Sequence, residues 1–216
     1  MSYDKQIKTK KRVADHGEVF TSEQEVNSML DLVKQETERI DSRFLEPACG
    51  NGNFLSEILN RKLNVIENKY KKSQIEFERY TFIAMASIYG IDILQDNVDS
   101  CIERLYKMCI DLYKNIYKSK CKKMFEDTIG YVLKKNIVCG DALTMLNSSQ
   151  TPIAFAEWSM VQGSMIKRRD YTFTELLVHT ENNENCIISD KEEPQFIPNT
   201  IKEYPTIHFM KVSEYE

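Results

Sequence analysis

Three carboxylates and a pair of glycines are the residues of this chain whose types and spacing could do chemistry. Glu46, Asp92 and Asp141 each close a short apolar run, and Gly50 and Gly52 follow the first of them in FLEPACGNGNFL (44–55). Only seven glycines occur in 216 residues, so two within three positions mark a local need. Glycine is required where the backbone takes positive φ or must come close to a ligand, and a helix start just beyond it offers unpaired N–H groups. Gly50 is expected to make the turn, Gly52 to let the backbone approach a ligand, and Glu46 to supply a carboxylate at the strand's carboxyl end. Asp92, after the second run (SIYGIDIL, 87–94), suits a ribose, because one carboxylate can accept hydrogen bonds from both hydroxyls. Asp141 ends the third run, KNIVCGDAL (135–143).

The implied ligand is a nucleoside. A dinucleotide pattern, G-x-G-x-x-G, needs a third glycine where this chain has Leu55, and Glu46 would oppose a pyrophosphate. A sulfonium or ammonium group is favoured beside that carboxylate. S-adenosylmethionine is therefore the expected cofactor, with a nicotinamide dinucleotide as runner-up.

These residues need elements to hold them. Val26, Met29, Leu30 and Val33 recur at helical spacing behind Thr21 or Ser22, either of which could cap a first helix. Residues 43–46 read as a buried strand ended by Pro47, and helical spacing resumes at residues 54–59. A polar, helical stretch over 64–86 leads to the second strand. Val98, Cys101, Ile102, Leu105, Met108, Cys109 and Leu112 then form the core stripe of a helix over 97–117. Strands alternating with helices predict an α/β domain of Rossmann-like type, with a mostly parallel sheet and helices on both faces. In a parallel sheet the three acidic strand ends share one edge and converge on one crevice.

Composition narrows the classes. With 42% hydrophobic residues the chain can bury a full core, and no apolar run nears the roughly 18 residues that cross a bilayer. The N-terminus lacks the apolar core of a signal peptide, so a cytoplasmic location and no membrane partner are expected. Six cysteines without a CxxC pair argue for reduced thiols and no metal site. A net charge of -4 argues against holding nucleic acid by bulk electrostatics alone, leaving local basic patches at 8–12, 118–123 and 167–169. The middle patch reads as a solvated helix face.

In order along the chain, HGEVFTSEQEVNSML (16–30), FLEPACGNGNFL (44–55), IYGIDIL (88–94) and NIVCGDAL (136–143) resemble the cofactor half of the adenine-N6 DNA methyltransferases of restriction-modification systems. EWSMVQGSMIKRRDYTFTELL (157–177) resembles a segment such proteins carry after the third strand. The resemblance covers about the first 180 residues. It implies a methyltransferase domain over 1–180, followed by a polar tail over 181–216 in which TIHFMKV could form a last strand. It places Phe20 and Thr21 at the methionine end of the cofactor, Glu46, Gly50 and Gly52 around the methionine and ribose, Asp92 on the ribose hydroxyls, and Asp141 on the adenine amine. Ala48, Asn53, Phe54, Ile93 and Ala142 complete the lining it implies. His16 and Glu18 could instead order the entry to the first helix.

Family members also carry Asn or Asp followed by Pro-Pro and an aromatic residue, which hold and stack the flipped base. No such tetrapeptide occurs after Asp141, where Pro152, Pro194, Pro198 and Pro205 stand apart. Glu157 and Trp158 are a weak substitute, since a lone tryptophan is more often a packing residue. No catalytic residue is assigned. The expectation is a DNA methyltransferase-like chain that needs a partner, such as a second methyltransferase or a restriction subunit, to act. The alternative is an inactive cofactor-binding interaction or regulatory protein.

Overall fold

The computed structural model describes residues 9–16, 18–177 and 199–215. Ser22, not Thr21, caps the helix α2 (Glu23–Asp31): its hydroxyl accepts the Glu25 N–H while the Glu25 carboxylate accepts the Ser22 N–H. Val26 and Leu30 point inward, whereas Met29 is exposed on the helix flank and Val33, beyond the helix end at Asp31, is exposed as well. Before α2 lies a short helix, α1 (Lys10–His16), and after it one turn, α3 (Lys34–Thr37).

The strand β1 (Phe44–Glu46) leads through the glycine turn into α4 (Asn53–Tyr70). The stretch read as one helix over 64–86 is two: α4 runs on to Tyr70, and α5 (Gln74–Ala86) starts after a break at 71–73. Then follow β2 (Ile88–Asp92), α6 (Gln95–Tyr117), a 3-10 turn (Lys118–Lys120), α7 (Lys123–Asn136) and β3 (Ile137–Asp141). In α6 the expected stripe is inward: Val98, Cys101, Leu105 and Cys109 are buried, and Ile102, Met108 and Leu112 pack against them.

Strands β1, β2 and β3 lie side by side in that order and run parallel. A two-residue strand, β4 (Leu146–Asn147), returns antiparallel to β3, so the sheet is mixed. Alternation along β2 shows what covers each face. Ile88 joins the cluster built from α4, α5, α6 and α7, while Tyr89 and Ile91 join Ile153, Phe155 and Phe173. That second face also carries a short helical segment, 173–177, whose Leu176 and Leu177 pack into the same cluster. Among the described residues the long helices α4 to α7 share one face, and the chain from Ile153 onward is divided: Ile153, Phe155 and Phe173 cover the other face, while Ala156, Trp158 and Ile166 join the helical cluster.

That later chain builds a second sheet. The hairpin β5 (Ala154–Gln162) and β6 (Met165–Thr172) is joined by β7 (Lys202–Glu203) and β8 (Ile207–His208), both pairing with β6. Residues 204–215 pack onto the domain. Phe209, Met210 and Val212, in a 3-10 helix (Phe209–Glu214), are buried, and Thr128 of α7 donates to the Met210 carbonyl at 2.9 Å. TIHFMKV contributes only Ile207 and His208 as strand. Residues 181–198 of the expected tail lie outside the described residues. Among the described residues no helix is long and apolar enough to cross a membrane.

Two buried polar clusters fix the frame beneath the crevice. Lys62 of α4 is fully buried, and its ammonium donates to the carbonyls of Ile40 (3.1 Å) and Ser42 (2.5 Å) and to the Ser87 hydroxyl (2.6 Å). It ties the entry of β1 to the entry of β2. Asn136 does the same for α7: its amide donates to Ile88 O and accepts the Trp158 indole N–H at 3.0 Å.

Candidate cofactor site

The site begins with the glycine turn. Gly50 has φ 52° and Gly52 φ 85°, both in the left-handed region, and Gly52 is the N-cap residue of α4 without any side-chain cap. Neither position has room for a side chain. A Cβ on Gly52 would lie 2.7 Å from Cys101 Sγ, and one on Gly50 3.1 Å from the Phe20 ring. The end of β2 holds the turn in place. The Cys49 N–H donates to Ile91 O (2.8 Å), and the Gly50 N–H donates to Asp92 Oδ2 (2.9 Å).

The register places the three carboxylates on one side of the sheet. Glu46 is level with Gly90, and Asp92 with Cys139, so Asp92 projects two residues beyond Glu46 and Asp141 two beyond Asp92. The period of two puts Glu46, Asp92 and Asp141 on the helix-facing side. With strands about 4.8 Å apart and a rise of about 3.3 Å per residue, the Cα spacing is about 8 Å from Glu46 to Asp92 and about 16 Å from Glu46 to Asp141. The acids form a diagonal line rather than a cluster, and no group of metal-binding residues occurs among the described residues.

Each acid has a different setting. Burial raises the Glu46 carboxyl above the usual carboxylate range, opposed by the hydrogen bond from the Ala48 N–H. Asp92 is 8% exposed and accepts the N–H groups of Gly50 and Leu94 and the Asn97 amide. Asp141 accepts the Leu143 N–H at 2.8 Å, closing its own turn, and Ala142 packs into the cluster on the other face.

Phe20 and Thr21 sit at the glycine turn. The Phe20 ring covers Gly50, and Thr21 offers its carbonyl to Asn53 Nδ2 (2.9 Å). Asn53 Oδ1 accepts from Arg104 (2.7 Å), so both ends of that amide tie the arm and α6 to α4. Phe54 packs against the helical core, and Ile93 is 60% exposed beside the end of β2, an open apolar surface at the site.

Two features were missed. Asn51 Oδ1, inside the glycine turn, is buried with no partner, an acceptor that a bound donor would satisfy. Its position between Gly50 and Gly52 was the available clue. The second is a clamp from the N-terminal arm. Arg12 binds Glu18 at 2.5 and 2.7 Å, reaches Asp96 at 2.6 Å, and donates to Asn97 Oδ1 at 3.2 Å. A separation of 84 or more residues hid this contact from any local pattern.

Glu157 and Trp158 lie elsewhere. Glu157 pairs with Arg43 at 2.8 Å, at the opposite end of β1 from the glycine turn, and Trp158 is buried edge-on to Phe82. The basic run 167–169 is equally absorbed. Lys167 and Arg169 pair with Glu203, while Arg168 is buried over the Tyr204 ring and bound to Asp170.

A strand, a left-handed glycine turn, a helix and a carboxylate-ended neighbouring strand meet at the carboxyl edge of the parallel strands. A protein-family model described as "MmeI, DNA-methyltransferase domain" matches residues 15–164. The chain belongs to this family. It carries a methyltransferase domain of the restriction-modification kind, and the match runs from the N-terminal arm to the tip of the β5–β6 hairpin. Neither the curated proteins nor the solved structures searched gave a match.

Proposed function

We propose that the crevice binds S-adenosylmethionine and that the chain is the cofactor-binding part of a DNA adenine-N6 methyltransferase. The observation that carries the reading is the left-handed Gly50–Gly52 turn fastened to Asp92, with the desolvated Glu46 carboxylate beside it. A cationic group near Glu46 would recover the interaction that burial has taken from it. Asn51 Oδ1 waits for a donor, and the exposed Ile93 side chain offers an apolar surface to a purine. Leu55 is fully buried where a dinucleotide site would have its third glycine, which favours the sulfonium nucleoside.

When bound, the cofactor supplies an electrophilic methyl group. This chain's residues hold and orient it: Glu46 toward the charged end, Asp92 toward the ribose, Asp141 toward the adenine. No Asn-Pro-Pro-aromatic tetrapeptide follows Asp141 in this sequence, and none of its residues is assigned to gripping a flipped adenine.

Equilibrium dialysis with labelled S-adenosylmethionine tests the reading. Glu46→Gln keeps shape and polarity, since Glu46 accepts only the Ala48 N–H at 3.3 Å. Binding should weaken by about 1–3 kcal/mol as one charge-assisted contact is lost. Equal binding by wild type and Glu46→Gln would remove the assigned role of Glu46, and no wild-type binding at millimolar cofactor would end the proposal.

A further inference from the structure

We infer that Arg12 and Asn97 are positioning residues for the crevice: the N-terminal arm locks the Asp92 carboxylate, and through it the glycine turn, by fixing the orientation of the Asn97 amide. The inference rests on the S-adenosylmethionine reading above and adds residues that lie outside the cofactor lining.

Asn97 is 1% exposed, and its amide sits between opposite demands. Its Nδ2 donates to Glu18 Oε1 at 2.7 Å and to Asp92 Oδ1 at 3.2 Å. Its Oδ1 accepts from Arg12 Nη2 at 3.2 Å. An amide can be turned end for end with little change of shape, and then its oxygen would face two carboxylates. The two carboxylates and the Arg12 donor select the same orientation, and Arg12 holds the amide from its oxygen end.

The same guanidinium forks onto Glu18 through Nε and Nη2 and onto Asp96 through Nη1 and Nη2, a geometry that lysine cannot reproduce. Continuity to the ligand site is short. Asp92 Oδ1, held by Asn97 and the Leu94 N–H, leaves Oδ2 to the Gly50 N–H and to the mouth of the crevice. A contact near α1 thereby reaches the glycine turn in three hydrogen bonds.

Charge gives the arrangement a second effect. The groups facing Asp92 are Glu18 and Arg12 from the arm, Asp96 from α6, Glu46 and Cys49 from the β1 end, and Cys139 from β3. Among the described residues Arg12 is the cation of that set. Without it the carboxylates of Glu18, Asp92 and Asp96 face one another with less compensation across the Asn97 amide.

The test is calorimetric titration of the full chain with S-adenosylhomocysteine at pH 8, beside a thermal melt of each variant. Arg12→Gln removes a partly buried side chain of the arm and should leave the melting transition cooperative. Its Kd should rise about tenfold, the effect of one charge-assisted contact. Asn97→Asp should lose more. Arg12→Lys, a cation without the fork, should recover part of the affinity. Unchanged affinity in Arg12→Gln, or no recovery in Arg12→Lys, overturns the positioning role while leaving the cofactor reading intact. A wild type that fails to bind overturns both.

Discussion

Replacing Gly52 by alanine probes the turn on which the site depends. Two costs add. The residue sits at φ 85°, and an L-residue there costs about 1–2 kcal/mol. The new Cβ would also stand 2.7 Å from Cys101 Sγ, which is fully buried on α6 and has no open space to move into, and overpacking of this kind costs about 1–3 kcal/mol. Gly52→Ala should therefore destabilise the fold by roughly 2–5 kcal/mol in urea titrations. Only the steric part depends on the sulfur. Cys101→Ala alone should cost about 1–2 kcal/mol as a small cavity, but in the Gly52→Ala background it should be neutral or stabilising. The double-mutant cycle should give a favourable coupling of about 1–2 kcal/mol, with the backbone strain left behind. A Gly52→Ala cost below about 0.5 kcal/mol, or additive single effects, would refute the packing of the turn against α6.

Lys62 offers a test by pH. Burial pushes its ammonium down to about 7, against the attraction of Asp41. Between that value and the unfolded value the unfolded chain binds more protons, so this group makes stability rise with pH in that interval and adds no slope below it. Lys62→Met should lose about 2–4 kcal/mol by leaving Ile40 O and Ser42 O without their donor. Urea midpoints from pH 7.5 to 9 should show wild type gaining on the variant by up to about 1.4 kcal/mol per pH unit, the thiols cancelling in the difference, and a constant gap would refute the buried-amine account. Lys118→Gly is predicted to stabilise: Lys118 has φ 51° and ψ -119°, a conformation easy only for glycine, and thermal melts should show a gain of about 1 kcal/mol, whereas a loss would show that the lysine side chain holds the end of α6.

What the sequence made legible was local. Gly50, Gly52 and the apolar stripe of α6 declare themselves through short-range geometry, where backbone sterics or a period of 3.6 leaves few alternatives. The break at 71–73 carries neither glycine nor proline, and Ser73 caps α5 without a side-chain bond, so two helices read as one. Strand β4 is only two residues long, too short for alternation to register. Lys62 occupies a core position that hydrophobic patterning assigns to an apolar residue, and only the three oxygens gathered from distant segments explain it. Arg168 likewise reads as surface charge until Tyr131, Trp158 and Tyr204 close around it. The acids at 46, 92 and 141 were found by their strand ends, but their diagonal spacing came from register, which no single strand encodes.

The most direct measurement is an amide proton–nitrogen NMR titration of the full chain with S-adenosylhomocysteine. The account predicts saturable shifts at Gly50, Asn51, Gly52 and Ile93, with the second sheet around Trp158 and Arg168 unmoved. Saturable shifts confined to residues away from the β1 and β2 ends, or no shifts at millimolar ligand, would contradict it.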